Sequence, residues 1–253
     1  MDKSFVLRAE PLITEMIQCK TATQVKDKIL TAIKGGATAI GIQLHTMVEE
    51  EKTDEKLKEL FSACADLPIY VTNYRGDKNQ GKSDAELAVG LLKAVELGAT
   101  VVDVMGDLFN PSPEELTTDI TAVNKQKALI DKIHAIGGEV LMSSHVQEFR
   151  SPKRVLEIAF AQQNRGADIV KIVTGANTRE EELINLQICA TLKEKLTAKF
   201  LFLSGGKCNR LHRTIGPALG VCAWLCFSQY DETTYNGPPL LDEVVKIKEI
   251  LKI

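Results

Sequence analysis

The chain has 253 residues, 44% of them apolar and 26% charged, with a formal charge of −3. This is the composition of a globular protein large enough for one sizeable core, and its slightly acidic balance gives no electrostatic footprint for nucleic acid. No apolar run approaches the roughly 20 residues that cross a bilayer, and the opening MDKSFVLRAEPLITEM lacks the apolar stretch and cleavage site of a secretory leader.

A cytoplasmic protein acting on a small molecule, with no membrane association, is therefore expected. The six cysteines (Cys19, Cys64, Cys189, Cys208, Cys222 and Cys226) form no CxxC pair. Several lie in apolar segments, where a reduced thiol packs as a small hydrophobe, so neither disulfides nor a zinc site is expected.

In chain order, PLITEMI (11–17) reads as a first strand and 22–34 as an amphipathic helix. GGATAIGI (35–42) stops that helix with glycines and runs into a second strand. The charge run EEEKTDEK (49–56) leads into a helix over 53–64 with Thr53 or Asp54 as cap, and it is a solvated face rather than a site. LPIYVTNY (67–74) is the third strand. Ser83 and Glu86 make a capping box for a helix over 83–97, so Glu86 needs no catalytic explanation. LGATVVDV (97–104), a helix over 113–136, GEVLMSSH (138–145), a helix over 152–165 and RGADIVKI (165–172) follow. A helix over 178–195 and the strands KFLFLSG (199–205) and GVCAWLCF (220–227) complete the series.

GGATAIGI, LGATVVDV and RGADIVKI resemble one another and recur about every 60–70 residues, twice the length of a βα unit, with one further strand in each gap. Eight βα units in about 250 residues, with no Pro/Gly/Ser-rich linker, predict a single-domain (β/α)8 TIM barrel over 1–253.

In that fold the chemistry sits at the C-terminal ends of the strands. The polar residues there are Glu15, Gln43, His45, Arg75, Asp103, His145, Lys171, Ser204 and, after the seventh strand, Arg213. Lys171 stands among Ile169, Val170, Ile172 and Val173, where an ammonium is costly unless paired or deprotonated. An amine that attacks a ketone must be neutral, and at pH 7 only about one unperturbed lysine in 2,500 is. An apolar barrel interior and a neighbouring cation such as Arg213 are expected to favour the neutral form. His145, ending the adjacent strand, is placed to move protons during carbinolamine and imine steps. His134 reads as a surface residue, His212 as a loop-packing or mouth residue, and Asp103 as structural or supportive.

At these residues the chain resembles the type I 3-dehydroquinate dehydratase family. VLMSSHVQEF.SP is similar to that family's histidine-bearing strand, GADIVKI to its imine-lysine strand, and HRTIGPALG to its arginine-glycine segment. TTYNGPP stands where a Ser-x-Pro-Gly-Gln loop closes over substrate. The resemblance implies that Lys171 forms an imine with a cyclic keto acid, that His145 removes and returns protons, and that Arg213 holds the carboxylate. Thr234 and Arg75 would assist, no metal or organic cofactor would be needed, and a homodimer would be the assembly.

The chain departs from the family where a Glu-x-Arg pair ends the second strand, having Gln43 and His45. It has Asn79 where a glutamate supports the histidine, and Pro238 for the loop glutamine. These departures predict altered hydroxyl recognition and an imidazole without its carboxylate. Two other readings stand beside this one. KIVTGANT also resembles the lysine strand of deoxyribose-phosphate aldolases, whose phosphate LSGGKCNR (203–210) would receive. A binding protein that kept the barrel without turnover is the other.

Overall fold

The computed structural model describes residues 3–232, 234 and 237–253. Strands and helices alternate: β1 (Leu12–Ile17), α1 (Ala22–Lys34), β2 (Ala39–Gln43), α2 (Asp54–Ala63), β3 (Ile69–Thr72), α3 (Asp84–Glu96), β4 (Val101–Met105) and α4 (Ile120–Ala135) form the first half. The second comprises β5 (Glu139–His145), α5 (Pro152–Asn164), β6 (Ile169–Gly175), α6 (Arg179–Lys195), β7 (Lys199–Gly205), α7 (Arg210–Ile215), β8 (Ala223–Cys226) and α8 (Leu241–Leu251). From β1 to β7 each strand pairs in parallel with the next, and β8 pairs in parallel with β1. The seam between β7 and β8 carries a backbone bond from Cys222 N–H to the Phe200 carbonyl, 2.9 Å. The protein is a (β/α)8 barrel, as its repeats predict.

Local chemistry sets the helix starts. Thr21, Ser83 and Thr178 make reciprocal capping boxes with Gln24, Glu86 and Glu181, while Ser151 caps α5 ahead of Pro152. Alternation along the strands divides their side chains between two apolar regions. Ile13, Ile17, Ile40, Ile42, Val71, Val102 and Val104 pack outward beneath helices. Leu12, Met16, Ala39, Val101 and Leu141 fill the barrel. Among the described residues no helix is long and apolar enough to cross a membrane, and the six cysteines are free thiols.

One boundary differs in a way that matters. The helix expected over 113–136 begins only at Ile120, capped by Asp119, whose carboxylate accepts from Ala122 N–H at 2.7 Å. Residues 113–119 form a loop instead, because their backbone groups bond across the barrel mouth: Thr117 N–H donates to the Gly106 carbonyl, and the buried Arg165 donates to the carbonyls of both Gly106 and Thr117.

Candidate active site

Lys171 is the third residue of β6, in register with Ser143 of β5, and is 4% exposed. Its Nζ lies 2.7 Å from Tyr74 Oη, 2.9 Å from Tyr70 Oη and 3.1 Å from Asp103 Oδ2. Both tyrosine hydroxyls also donate to Asp103 Oδ2, and Ser143 Oγ donates to Oδ1 at 2.5 Å. The question raised by a charged residue in an apolar strand is answered by this network. Lys171 sits against a buried carboxylate and two phenols, not among apolar side chains as the sequence suggested. Burial opposes the charge of Asp103, yet the Lys171 ammonium and then His145 hold its carboxyl below the usual carboxylate range.

His145 ends β5 and lines the same cavity as Lys171, with Tyr74 between them. The Tyr74 ring meets the imidazole edge-on, centroids 5.4 Å apart. The expectation that this histidine lacks a carboxylate is overturned, because Glu115 supplies one from the loop before α4. Its Oε2 lies 2.7 Å from His145 Nδ1 and accepts the His145 backbone N–H at 3.0 Å. That contact assigns the Nδ1 proton and leaves Nε2 to exchange protons. Burial works against the Glu115 charge, but the side-chain hydrogen bond, the electrostatic attraction and the backbone N–H of His145 together outweigh it and lower the carboxyl.

Glu115 itself adopts a left-handed backbone, φ 46°, which costs a non-glycine residue about 1 kcal/mol or more. Its surroundings fix it there: Ser144 Oγ donates to its carbonyl at 2.8 Å, and its N–H donates to the Ser112 carbonyl. Gly106 makes the approach possible, since a Cβ there would lie 2.5 Å from the Glu115 carbonyl oxygen and 3.0 Å from that of Ser143.

The cavity has a volume of about 740 Å³. Gln43, Arg213 and Pro238 line it, together with Gln18, Gln147, Lys207 and Arg210, which the sequence reading did not single out as site residues. Arg213 is anchored by its Nε–H to the Ser204 carbonyl at 2.7 Å. Behind it His212 is packed against Phe202 and Cys189, and burial, with the Arg213 charge, pushes its pKa down to about 3.

Four expected contacts fall outside this lining. Arg75 gives its Nε and Nη2 to Asp84, both at 2.7 Å, and its Nη1 to Asp107 at 2.7 Å. Asn79 is sealed in, donating to Asn73 Oδ1 and the Tyr74 carbonyl and accepting from Lys52 Nζ. His45 is buried beside the Tyr74 ring, 5.1 Å between centroids, and desolvation pushes its pKa down to about 4, so it is neutral. Thr234 turns to its own loop, accepting from Asp231 N–H at 2.7 Å, beside a separate cavity of about 170 Å³ that also meets Glu15. Thr233, Tyr235 and Asn236 of TTYNGPP lie outside the described residues.

The fold and this cavity define a (β/α)8 barrel with a lysine and a carboxylate-backed histidine in its mouth. The family model for type I 3-dehydroquinase matches residues 16–252, so the chain belongs to that family. It is 26% identical over 201 residues to the 3-dehydroquinate dehydratase of Klebsiella pneumoniae subsp. pneumoniae, covering 77% of this chain and 74% of that one. To the enzyme of the same name from Staphylococcus carnosus it is 27% identical over 207 residues, covering 80% and 78%.

Among solved structures, the 3-dehydroquinate dehydratase of Geobacillus kaustophilus superposes with a TM-score of 0.82 at 15% identity, covering 96% of this chain and 92% of that one. The type I enzyme of Clostridium difficile, crystallised with covalently modified comenic acid, gives 0.82 at 15% identity over 96% and 93%.

Proposed function

We propose that this chain is a hydro-lyase that dehydrates 3-dehydroquinate, or a closely related cyclic keto acid, through an imine on Lys171, with the whole chain acting as one catalytic domain. The observation that carries this reading is the meeting in one cavity of Lys171, His145 backed by Glu115, and Arg213, in a member of this family. Neutral Lys171 attacks the ring ketone, the new N–C bond displaces the carbonyl oxygen as water, and a protonated imine remains. His145 then removes a proton alpha to that carbon. The electron pair moves into the imine to give an enamine, which returns it to expel the β-hydroxyl as water, with His145 as proton donor. Hydrolysis frees the enone product and the lysine.

Arg213 pairs with the substrate carboxylate, and Gln43 offers hydrogen bonds to hydroxyls where the family carries charge. Arg75, Asn79, His45 and Thr234 hold no substrate in this reading. The reaction belongs to the cytoplasm, consistent with six reduced thiols, and a homodimer is the assembly the family suggests.

Borohydride added with 3-dehydroquinate, followed by intact mass and peptide mapping, tests the proposal. A reduced adduct on Lys171 is expected. Adduct formation only with a phosphorylated aldehyde would establish the aldolase reading instead, and no adduct with any ketone would leave a barrel without this chemistry.

A further inference from the structure

An attacking amine needs a lone pair, and an ammonium has none. The three protons of charged Lys171 have three matched acceptors, Tyr74 Oη, Tyr70 Oη and Asp103 Oδ2. Some group must therefore take one proton before attack and give it back afterwards. The groups facing Nζ are the two tyrosines, Asp103 on β4 and, beyond the Tyr74 ring, His145 on β5; His45 packs against that same ring.

We propose that Asp103 is the base that deprotonates Lys171, and that the Tyr74 hydroxyl carries the proton between them; this assignment rests on the imine-forming role of Lys171 given above. Tyr74 accepts from Nζ at 2.7 Å and itself donates to Asp103 Oδ2, whereas the direct path from Nζ to the carboxylate is longer, 3.1 Å. As Nζ–H passes to Tyr74, the Tyr74 proton passes to Asp103, so the ammonium and carboxylate become an amine and a carboxylic acid. The amine adds to the ketone. When the carbinolamine hydroxyl departs, the Asp103 proton returns through Tyr74 to that oxygen, which leaves as water. The restored carboxylate then faces the protonated imine, an ion pair equivalent to the one it began with.

The two phenols differ in placement. Tyr70 is enclosed below the cavity and packs edge-on against Phe5, while Tyr74 is half-buried and lines the cavity where a carbonyl must arrive. Burial, and then the Asp103 charge, push both phenols well above their ordinary range, so each stays a neutral hydroxyl that passes a proton without keeping it. Ser143 holds the other Asp103 oxygen and keeps Oδ2 toward the lysine.

The test is the time course of borohydride-trapped adduct with 3-dehydroquinate, quenched at intervals between pH 6 and 9, in wild type, Tyr74→Phe and Asp103→Asn. Tyr74→Phe keeps the ring and removes only the relay, and adduct formation is expected to slow by about 10–100-fold near neutral pH. The deficit should narrow as pH rises and solvent hydroxide takes the proton. Asp103→Asn keeps the shape, removes the base, and should slow formation at least as much. It carries the test if Tyr74→Phe does not fold.

Wild-type trapping rates in either folded variant across the pH range would overturn the assignment. Absence of any Lys171 adduct in the wild type would be a different failure, that of the imine itself.

Discussion

Replacing Glu115 with Gln isolates charge from geometry. Both contacts to His145 use the same oxygen, Oε2, which meets Nδ1 at 2.7 Å and the backbone N–H at 3.0 Å. A glutamine carbonyl in that place keeps both hydrogen bonds and loses only the negative charge. When His145 takes the alpha proton it becomes an imidazolium, and a charge-assisted hydrogen bond to a carboxylate exceeds its neutral counterpart by about 1–2 kcal/mol. Glu115 is a third exposed and His145 a quarter, so screening places the value at the lower end of that range.

The expected consequence is a fall in kcat of about 5–10-fold with KM little changed. A larger primary isotope effect with alpha-deuterated 3-dehydroquinate should accompany it, because proton abstraction becomes more fully rate-limiting. Lys171 trapping should proceed at the wild-type rate, since imine formation precedes this step. Glu115→Ala also loses the orientation of the ring and should cost about 10–100-fold. A glutamine variant with wild-type kcat and isotope effect would refute the claim that this carboxylate assists His145.

Two further substitutions probe residues placed outside the cavity. Arg75→Ala breaks the pairs with Asp84 and Asp107, the latter buried; because Arg75 is about a quarter exposed, denaturant unfolding should show a loss of about 2–3 kcal/mol, below the range for a fully buried pair, and KM should not change in the folded variant. A raised KM at full stability would restore Arg75 as a substrate contact. Glu15 faces outward beside Ser228, whose N–H it accepts at 2.7 Å, and burial pushes its carboxyl up to about 7. Its folded pKa is thus above its unfolded one, the native state binds the extra proton, and stability falls as pH rises between about 4.5 and 7. The full effect is about 3 kcal/mol. Glu15→Gln should remove that part of the decline between pH 5 and 8 in paired urea titrations, and an unchanged decline would count against it.

The barrel was legible because its signals are local and repeated. Gly-Ala before β2, β4 and β6, the caps at Ser83 and Thr53, and β-branched runs of the right length act within a few residues of where they are read. Lys171 and His145 were legible for a related reason: once the strands are set, parallel register places Ser143 beside Lys171 and therefore His145 two residues further along the same face. The partners of these two residues were not. Glu115 fell inside an amphipathic pattern that extended the helix back to 113, where a glutamate reads as solvated. Bonds from Arg165, Ser144, His145, Arg150 and Arg154 hold that segment off the helix, and all of these residues lie far along the chain from it. The one local clue was Gly106 directly after β4, a position where no Cβ can fit.

The same distance effect explains why loss at one position misled. Asn79 removes the carboxylate expected beside the histidine, and a reading confined to that position predicts a weakened base. The barrel mouth, however, is a ring on which neighbouring strands present side chains to the same point, so a charge lost after β3 can be supplied after β4 without altering what His145 meets. Tyr74 illustrates the converse. It lies one residue before Arg75, and its ring occupies the space between Lys171 and His145 while the guanidinium turns away to Asp84 and Asp107. The positions that depart from the family pattern therefore describe a site whose charges have been relocated around the ring. Turnover should depend on Glu115, Asp103 and Tyr74, and adding a glutamate at Asn79, whose amide already satisfies Asn73 and Tyr74, should restore nothing.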